Sequence, residues 1–388
     1  MEVTILTEQQ IRECVSFDEE VIEAVSEGFS KLAQGEATVP PVLAVSVPEN
    51  HGEVDVKTAY IRGLDTFAVK IAAGFHNNHR LNLPTGSGMM VIISSKTGFP
   101  QAVLLDNGYL TDVRTGAAGA LAARHLACES IETVGVVGSG VQARYQVRGI
   151  ALVRDFRRLL VFGILPEQVD RYVDEMQAEL GVEVIKAESA EQVVRESDAI
   201  VTTTPSRKPY LRASWVHPGA HITAMGSDGE GKQELFPQVF ERADLVACDR
   251  KSQCFRLGEL HHALEKGVLT RESRVSELGQ LILGQQPGRE SESQITVCDL
   301  TGVGVQDTAI AQLALGKALQ KGLGRLRRLG SRAPTQRVVG QREHCIEMGT
   351  ANPHEYALGL CCCEERLRGW SSKSKHLILH RSDRFRMV

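Results

Sequence analysis

Apolar positions along the chain follow two different periods. Val21, Ile22, Val25, Phe29 and Leu32 recur three or four residues apart and stop at Gly35, the spacing of one helix face. Thr7 with Gln10 and Ser16 with Glu19 match the capping-box pattern, so the opening is predicted as two helices. From Val42 the pattern shortens to β-type runs at residues 42–47, 54–61, 67–72, 89–93 and 101–105, with Gly63, Pro84, Gly86 and Gly98 between them. These predict a mixed sheet. An Ala-rich stretch at 111–124 starts on a capping Thr111 and predicts a helix that packs closely on a neighbour.

Beyond Thr133 the rhythm becomes strand then helix. Strands are predicted at 133–137, 158–162, 182–185 and 199–203, with helices at 142–153, 166–180 and 190–196 between them. Runs at 221–225, 245–248 and 295–298 read as later strands of the same sheet, and a helix at 308–319 returns to the first region. This alternation predicts βαβ units. The fold class is therefore α/β, a Rossmann-type doubly wound parallel sheet plus an α+β domain.

Composition narrows the picture. The 388 residues are 42% hydrophobic and 24% charged, enough for two cores, and 36 glycines against 5% aromatics suit a tightly turning α/β enzyme. No uninterrupted apolar stretch is long enough for a membrane helix, and Met1-Glu2-Val3 lacks the basic-then-apolar layout of a secretion signal, so a cytoplasmic protein without a membrane partner is expected. Residues 325–388 carry 13 Lys+Arg against 6 Asp+Glu, which leaves the first 324 at −11 within a total of −4. An acidic body has no nucleic-acid footprint. The basic segment has neither hydrophobic period, and is read as a disordered or non-native tail. It holds Cys345 and the triplet Cys361–Cys363, while Cys14, Cys128, Cys248, Cys254 and Cys298 are scattered, so neither a disulfide framework nor a zinc site is expected.

The strongest local signal is Gly138-x-Gly140-x-x-Ala143, which directly follows an apolar strand and opens a helix. In that context Gly138 makes the tight turn, Gly140 admits a pyrophosphate to the backbone, and Ala143 packs the helix on the strand. Gly138, Ser139, Gly140, Val141 and Gln142, with Thr203 and Thr204 at a later strand end, form the candidate cofactor-binding set. An acid or an arginine roughly 20 residues on distinguishes NAD from NADP. Leu159 to Glu167 offers neither in place, so this stretch leaves NAD versus NADP open; the cofactor expected is NAD, with NADP not excluded.

The run from Leu104 to Ala118 (LLDNGYLTDVRTGAA), the glycine fingerprint, Pro218 to Asp228 (PGAHITAMGSD), Lys232-Gln233-Glu234-Leu235 and Gly302 to Ala309 (GVGVQDTA) occur in an order that resembles the ornithine cyclodeaminase/μ-crystallin family. The wording Asp55-Val56-Lys57-Thr58-Ala59-Tyr60 is most similar to the branch associated with ectoine breakdown. The resemblance covers residues 1–324. It implies a homodimer in which residues 1–124 and 301–324 form a substrate-binding and dimerisation domain and residues 125–300 a Rossmann domain. It also implies a small amino or imino acid substrate, with Lys70 as a substrate-contacting acid, Arg114 holding a carboxylate, and Asp228 acting on water and the departing amine. A planar bidentate donor such as Arg114 suits a carboxylate. Family members often carry a second arginine where this chain has Ala44; Lys57, on one strand face with Asp55, either substitutes for it or forms a surface pair.

The twelve histidines form no His-x-x-x-His or His-Glu-x-x-His array, and the neighbours His261 and His262 are expected to point two ways, so no metal is assigned. The function implied is a nicotinamide-dependent cyclodeaminase of an ornithine-like diamino acid: hydride leaves Cα, ammonia departs, the ring closes and hydride returns. The alternatives are an imine reductase or amino acid dehydrogenase of the same fold, and a non-enzymatic μ-crystallin-like binding protein.

Overall fold

The chain opens on a strand rather than a helix. In the computed structural model, which describes residues 2–328 and Gly330, seven strands precede the Ala-rich helix. They are β1 (Glu2–Thr7), β2 (Ala37–Thr38), β3 (Leu43–Val47), β4 (Gly52–Ile61), β5 (Thr66–Phe75), β6 (Gly86–Ser94) and β7 (Pro100–Leu105). β1 runs parallel to β7, while β7, β6, β5 and β4 pair antiparallel in turn, and both β2 and β3 lie on β4. The mixed sheet expected from the alternating runs is therefore present. β1 escaped the sequence reading because its buried Val3, Thr4 and Leu6 have no strict alternation.

Two helix starts differ from expectation. Thr7 does cap Glu8–Cys14 with the full capping box, but the next helix, Glu19–Ala33, is capped by Asp18 and not Ser16; the Asp18 carboxylate accepts from the Val21 N–H at 3.2 Å. The Ala-rich helix spans Tyr109–Leu126, so Thr111 is interior. Its first turn is held instead by Asp106, which accepts from the Leu110 N–H at 2.8 Å. This helix is buried almost all round, and its small side chains admit close neighbours: a Cβ on Gly119 would overlap the Gln146 amide of the next helix.

The second sheet contains β8 (Thr133–Val137), β9 (Arg158–Phe162), β10 (Glu183–Lys186), β11 (Ala199–Thr202), β12 (His221–Ala224), β13 (Leu245–Cys248), β14 (Ser276–Glu277) and β15 (Thr296–Asp299). All pair parallel in the order β10-β9-β8-β11-β12-β15-β13-β14, a Rossmann-type doubly wound sheet. The chain winds one way from β8 to β10 and the other way from β11, which puts the topological switch point between the ends of β8 and β11. Ligands of such sheets bind at that crevice.

From β15 the chain returns through Gly304–Gln320, a helix packed on β4, β5 and Glu19–Ala33. It does not end its structured course at Gly324. A last strand, β16 (Arg325–Arg328), pairs antiparallel with β1, Glu2 opposite Arg328 and Ile5 opposite Arg325. The boundary expected at 324 is therefore four residues short, because backbone pairing at a sheet edge needs no hydrophobic period to declare it. Apart from Gly330, the rest of the basic segment lies outside the described residues. One core is shared between the sheets, since Leu300, Cys298 and Met225 pack in the same cluster as Leu6, Ile22 and Leu110. Among the described residues no helix is long and apolar enough to cross a membrane.

Candidate active site

Lys57 and Lys70 stand opposite each other on β4 and β5, both facing inward and nearly inaccessible. Arg114, one turn into the Ala-rich helix, is buried beside them. Three cations in an apolar interior require a counter-ion. Asp307 supplies it from the first turn of the returning helix: its Oδ1 lies 3.0 Å from Lys70 Nζ and 3.0 Å from Arg114 Nε. Burial acts to raise the Asp307 carboxyl, but Lys70 and Arg114 hold it below the ordinary value. Lys70 moves the other way. Burial, then the Arg114 charge, lower it from 10.5 to about 7 against the opposing pull of Asp307.

These ion pairs leave hydrogen-bonding capacity unspent. Arg114 Nε and both Asp307 oxygens have no partner of hydrogen-bond geometry, and among the described residues the Arg114 guanidinium donates to no protein acceptor. Lys57, by contrast, is committed: its Nζ donates to the Thr301 carbonyl at 2.9 Å. It is not the surface partner of Asp55. Ala44, which stands where a second arginine was expected, is exposed on β3 opposite Asp55.

The loop carrying Thr301 is built tightly. Asp249, just past β13, accepts from the Thr301 N–H at 2.8 Å and the Gly302 N–H at 2.6 Å. Gly302 has φ +77°, and a Cβ there would stand 2.6 Å from Arg114 Nη1. Only glycine lets this loop lie against the guanidinium.

Asp228 sits beyond β12 and is half-exposed. Its Oδ1 accepts from Lys232 Nζ at 2.8 Å, and the same ammonium reaches Glu53 Oε1 of β4 at 2.7 Å. The nearly buried Lys232 thus ties the first sheet to the segment after β12. Burial would raise the Asp228 carboxyl, yet Lys232 and Lys57 bring it below its usual value. Asp55 shifts upward, chiefly through burial, with Asp228 and Glu53 adding to the effect against Lys57. The site therefore has a deep cationic end at Lys70 and Arg114 and an acidic rim at Asp55, Asp228 and Glu53.

The glycine turn lies at the switch point. Gly138 has φ +119° and sits against Thr203, whose Oγ1 would be 2.3 Å from any Cβ at Gly138. Thr203 itself continues β11, its N–H donating to the Val137 carbonyl at 2.9 Å. Gly140 differs: a Cβ there meets nothing within 4 Å. It caps the eleven-residue helix Val141–Ala151, whose first turn receives no side-chain cap. Open space beside uncapped N–H groups is what a pyrophosphate needs. The flanking Ser139 and Gly140 carbonyls are engaged by Arg144, Gln142 donates to Asp112 at 2.8 Å, and the Thr204 hydroxyl donates to Glu234 at 2.7 Å. After β9, Glu167 and Arg171 are both exposed on Pro166–Leu180.

Sequence reasoning missed Asp307, Asp249, Lys232 and Glu53. Asp307 stood inside the quoted Gly302–Ala309 run, and Lys232 four residues after Asp228, but nothing in either spacing reveals a long-range partner such as Lys70, Arg114 or Glu53.

A sequence profile of the ornithine cyclodeaminase/mu-crystallin family matches residues 1–322. The chain belongs to that family. It is 46% identical over 323 residues to the uncharacterized cyclodeaminase y4tK of Sinorhizobium fredii, covering 83% of this chain and 98% of the relative. Among solved structures it resembles the Δ1-pyrroline-2-carboxylate reductase of Thermococcus litoralis in complex with NADH and L-proline (TM-score 0.79, 29% identity, 83% of this chain and 99% of that one). It is also similar to an archaeal alanine dehydrogenase dimer with bound NAD (TM-score 0.79, 34% identity, 85% and 100%). A third resemblance is to a lysine cyclodeaminase structure concerned with recognition of L-lysine, L-ornithine and L-2,4-diaminobutyric acid (TM-score 0.77, 28% identity, 85% and 96%).

Proposed function

We propose that this chain is an NAD-dependent cyclodeaminase that converts a small diamino acid to a cyclic amino acid and ammonia. The observation that carries the reading is the separation of charge: the buried cations Arg114, with donors unspent, and Lys70 at one end, and the carboxylates Asp228 and Asp55 at the other. Such a site suits a carboxylate at its deep end and an amine at its rim.

In this reading Gly138, Ser139, Gly140, Val141, Gln142 and Thr203 surround the pyrophosphate of a dinucleotide, with Thr204, whose hydroxyl donates to Glu234, beside them. When bound, the nicotinamide supplies a hydride acceptor and donor at the substrate α-carbon. Arg114 fixes the carboxylate by charge-assisted hydrogen bonds. Lys70, whose pKa of about 7 places both protonation states within reach, gives and takes a proton near neutrality. Asp228, kept ionised by Lys232, accepts a proton from the attacking amine or from water and returns it to the departing ammonia. The reaction is redox-neutral overall.

In this reading residues 1–124 and the segment after 301 hold substrate and form a homodimer, residues 125–300 hold the cofactor, and the enzyme works in the cytoplasm. Lys57 favours a second reading. Its buried charge adds to Lys70 and Arg114, and a net positive pocket also suits an anionic imino acid reduced at the expense of NADH. Incubation of the protein with ornithine, lysine and 2,4-diaminobutyrate in the presence of NAD+ separates the two. Ammonia release without net formation of reduced nicotinamide supports the cyclodeaminase, and net nicotinamide turnover supports the reductase or dehydrogenase. Failure to bind either dinucleotide leaves only a non-enzymatic binding protein.

A further inference from the structure

A second constellation lies on the short helix Glu259–Glu265. His261 and His262 do not point two ways; their rings meet edge to face with centroids 5.2 Å apart. Glu265 completes a triad whose ligand atoms all lie within 4.8 Å of one another. His261 Nε2 is 3.3 Å from Glu265 Oε1, and His262 Nδ1 is 3.9 Å from Glu265 Oε2.

The decisive detail is what the other ring nitrogens do. His262 Nε2 lies 2.8 Å from the Lys232 carbonyl, and His261 Nδ1 lies 3.3 Å from the Phe255 carbonyl. A carbonyl oxygen only accepts, so each of these nitrogens carries the hydrogen. In a neutral imidazole the remaining nitrogen then holds a lone pair. Both lone pairs are thereby assigned to the nitrogens nearest Glu265. Backbone carbonyls that fix the tautomer and orientation of two imidazoles are the usual support of metal-ligating histidines.

We propose that His261, His262 and Glu265 form a binding site for a zinc-class divalent cation. Two imidazoles and a carboxylate suit borderline-soft zinc better than magnesium or calcium, which favour all-oxygen shells. His262 is mostly buried, His261 partly so, and Glu265 is exposed and free to swing onto the ion, leaving a fourth position to water. The His262 to Lys232 hydrogen bond gives the site a reach beyond its own helix: a bound ion locks the ring that holds the main chain at Lys232, the residue paired with Asp228.

Equilibrium dialysis of the full chain against zinc tests the assignment, with the double variant below as the reference for zinc taken up by thiols such as those of Cys361–Cys363. The wild type is expected to take up one more zinc per chain than the double variant His261→Ala/His262→Ala. Glu265→Gln, at an exposed position with little bearing on folding, is expected to weaken that uptake about tenfold or more, with an unchanged melting temperature without metal. Equal zinc uptake by wild type and both variants overturns the proposal and leaves the triad as ordinary ion pairs along a helix.

Discussion

Gly140 offers a way to remove cofactor binding without touching the fold. Its φ of −81° and ψ of −169° are open to any residue, and an added Cβ meets nothing within 4 Å. Loss of glycine's freedom in the unfolded chain stabilises by about 0.4–1 kcal/mol. Loss of a favourable cap residue costs about the same, roughly 0.5–1 kcal/mol. The two cancel, so Gly140→Ala and Gly140→Val are expected to melt within about 2 °C of wild type without ligand. With NAD+ at about a hundred times its dissociation constant, the wild type gains about 2.7 kcal/mol. That corresponds to an increase of about 5 °C in melting temperature. The valine variant is expected to show no increase, because its side chain fills the space assigned to the pyrophosphate. Gly138→Val is the contrasting case: its Cβ collides with Thr203 and its φ is positive, so the fold itself is expected to suffer. A Gly140→Val protein that melts as wild type and still gains full stabilisation from NAD+ refutes the placement of the cofactor.

Four further outcomes follow from the site. Because Lys70 is lowered to about 7 by burial while an unfolded lysine stays protonated to about 10.4, the unfolded chain binds more protons between these values and stability rises with pH; relative to Lys70→Met, the wild type is expected to gain about 2 kcal/mol in urea unfolding between pH 7 and pH 9. Asp307→Asn strips two buried cations of their counter-ion and is expected to cost about 3–5 kcal/mol in the same assay; a loss below about 1 kcal/mol contradicts the buried cluster. Lys232→Met removes the charge that keeps Asp228 ionised, so the acidic limb of the pH–rate profile is expected to move to higher pH, with partial restoration by Lys232→Arg; an unmoved limb takes Asp228 out of the proton transfers. Truncation after Ser331 is expected to leave nicotinamide binding intact, whereas truncation after Gly324 bares the β1 edge and is expected to raise aggregation measured by light scattering.

What the sequence revealed and what it hid follow one physical division. The strand–helix alternation from β8 to β11 was legible because parallel strands buried on both faces read as continuous apolar runs, and the glycine turn because its conformation admits few other residues. Lys70 and Arg114 were found only through family resemblance, since a lone lysine in a strand carries no mark of being buried. Asp307, Asp249 and Lys232 were hidden for a related reason: their roles exist only across long-range contacts, Lys57 to Thr301 and Lys232 to Glu53 among them. The cap at Asp18 rather than Ser16 shows the local version of the same limit, two eligible side chains within one turn and a choice made by the two helices they join.

The position of Asp307 also sets a timetable. During synthesis the second sheet emerges whole before residue 301, but Lys70 and Arg114 must wait for a carboxylate about 190 residues after Arg114, some 10–40 s at ribosomal speed of about 5–20 residues per second. Until then the nascent first half carries Lys70 and Arg114 with no counter-ion in the place where its core must close, a standing penalty against premature collapse. The last long helix thus acts as a completion signal: the half of the molecule made first is the half that finishes folding last.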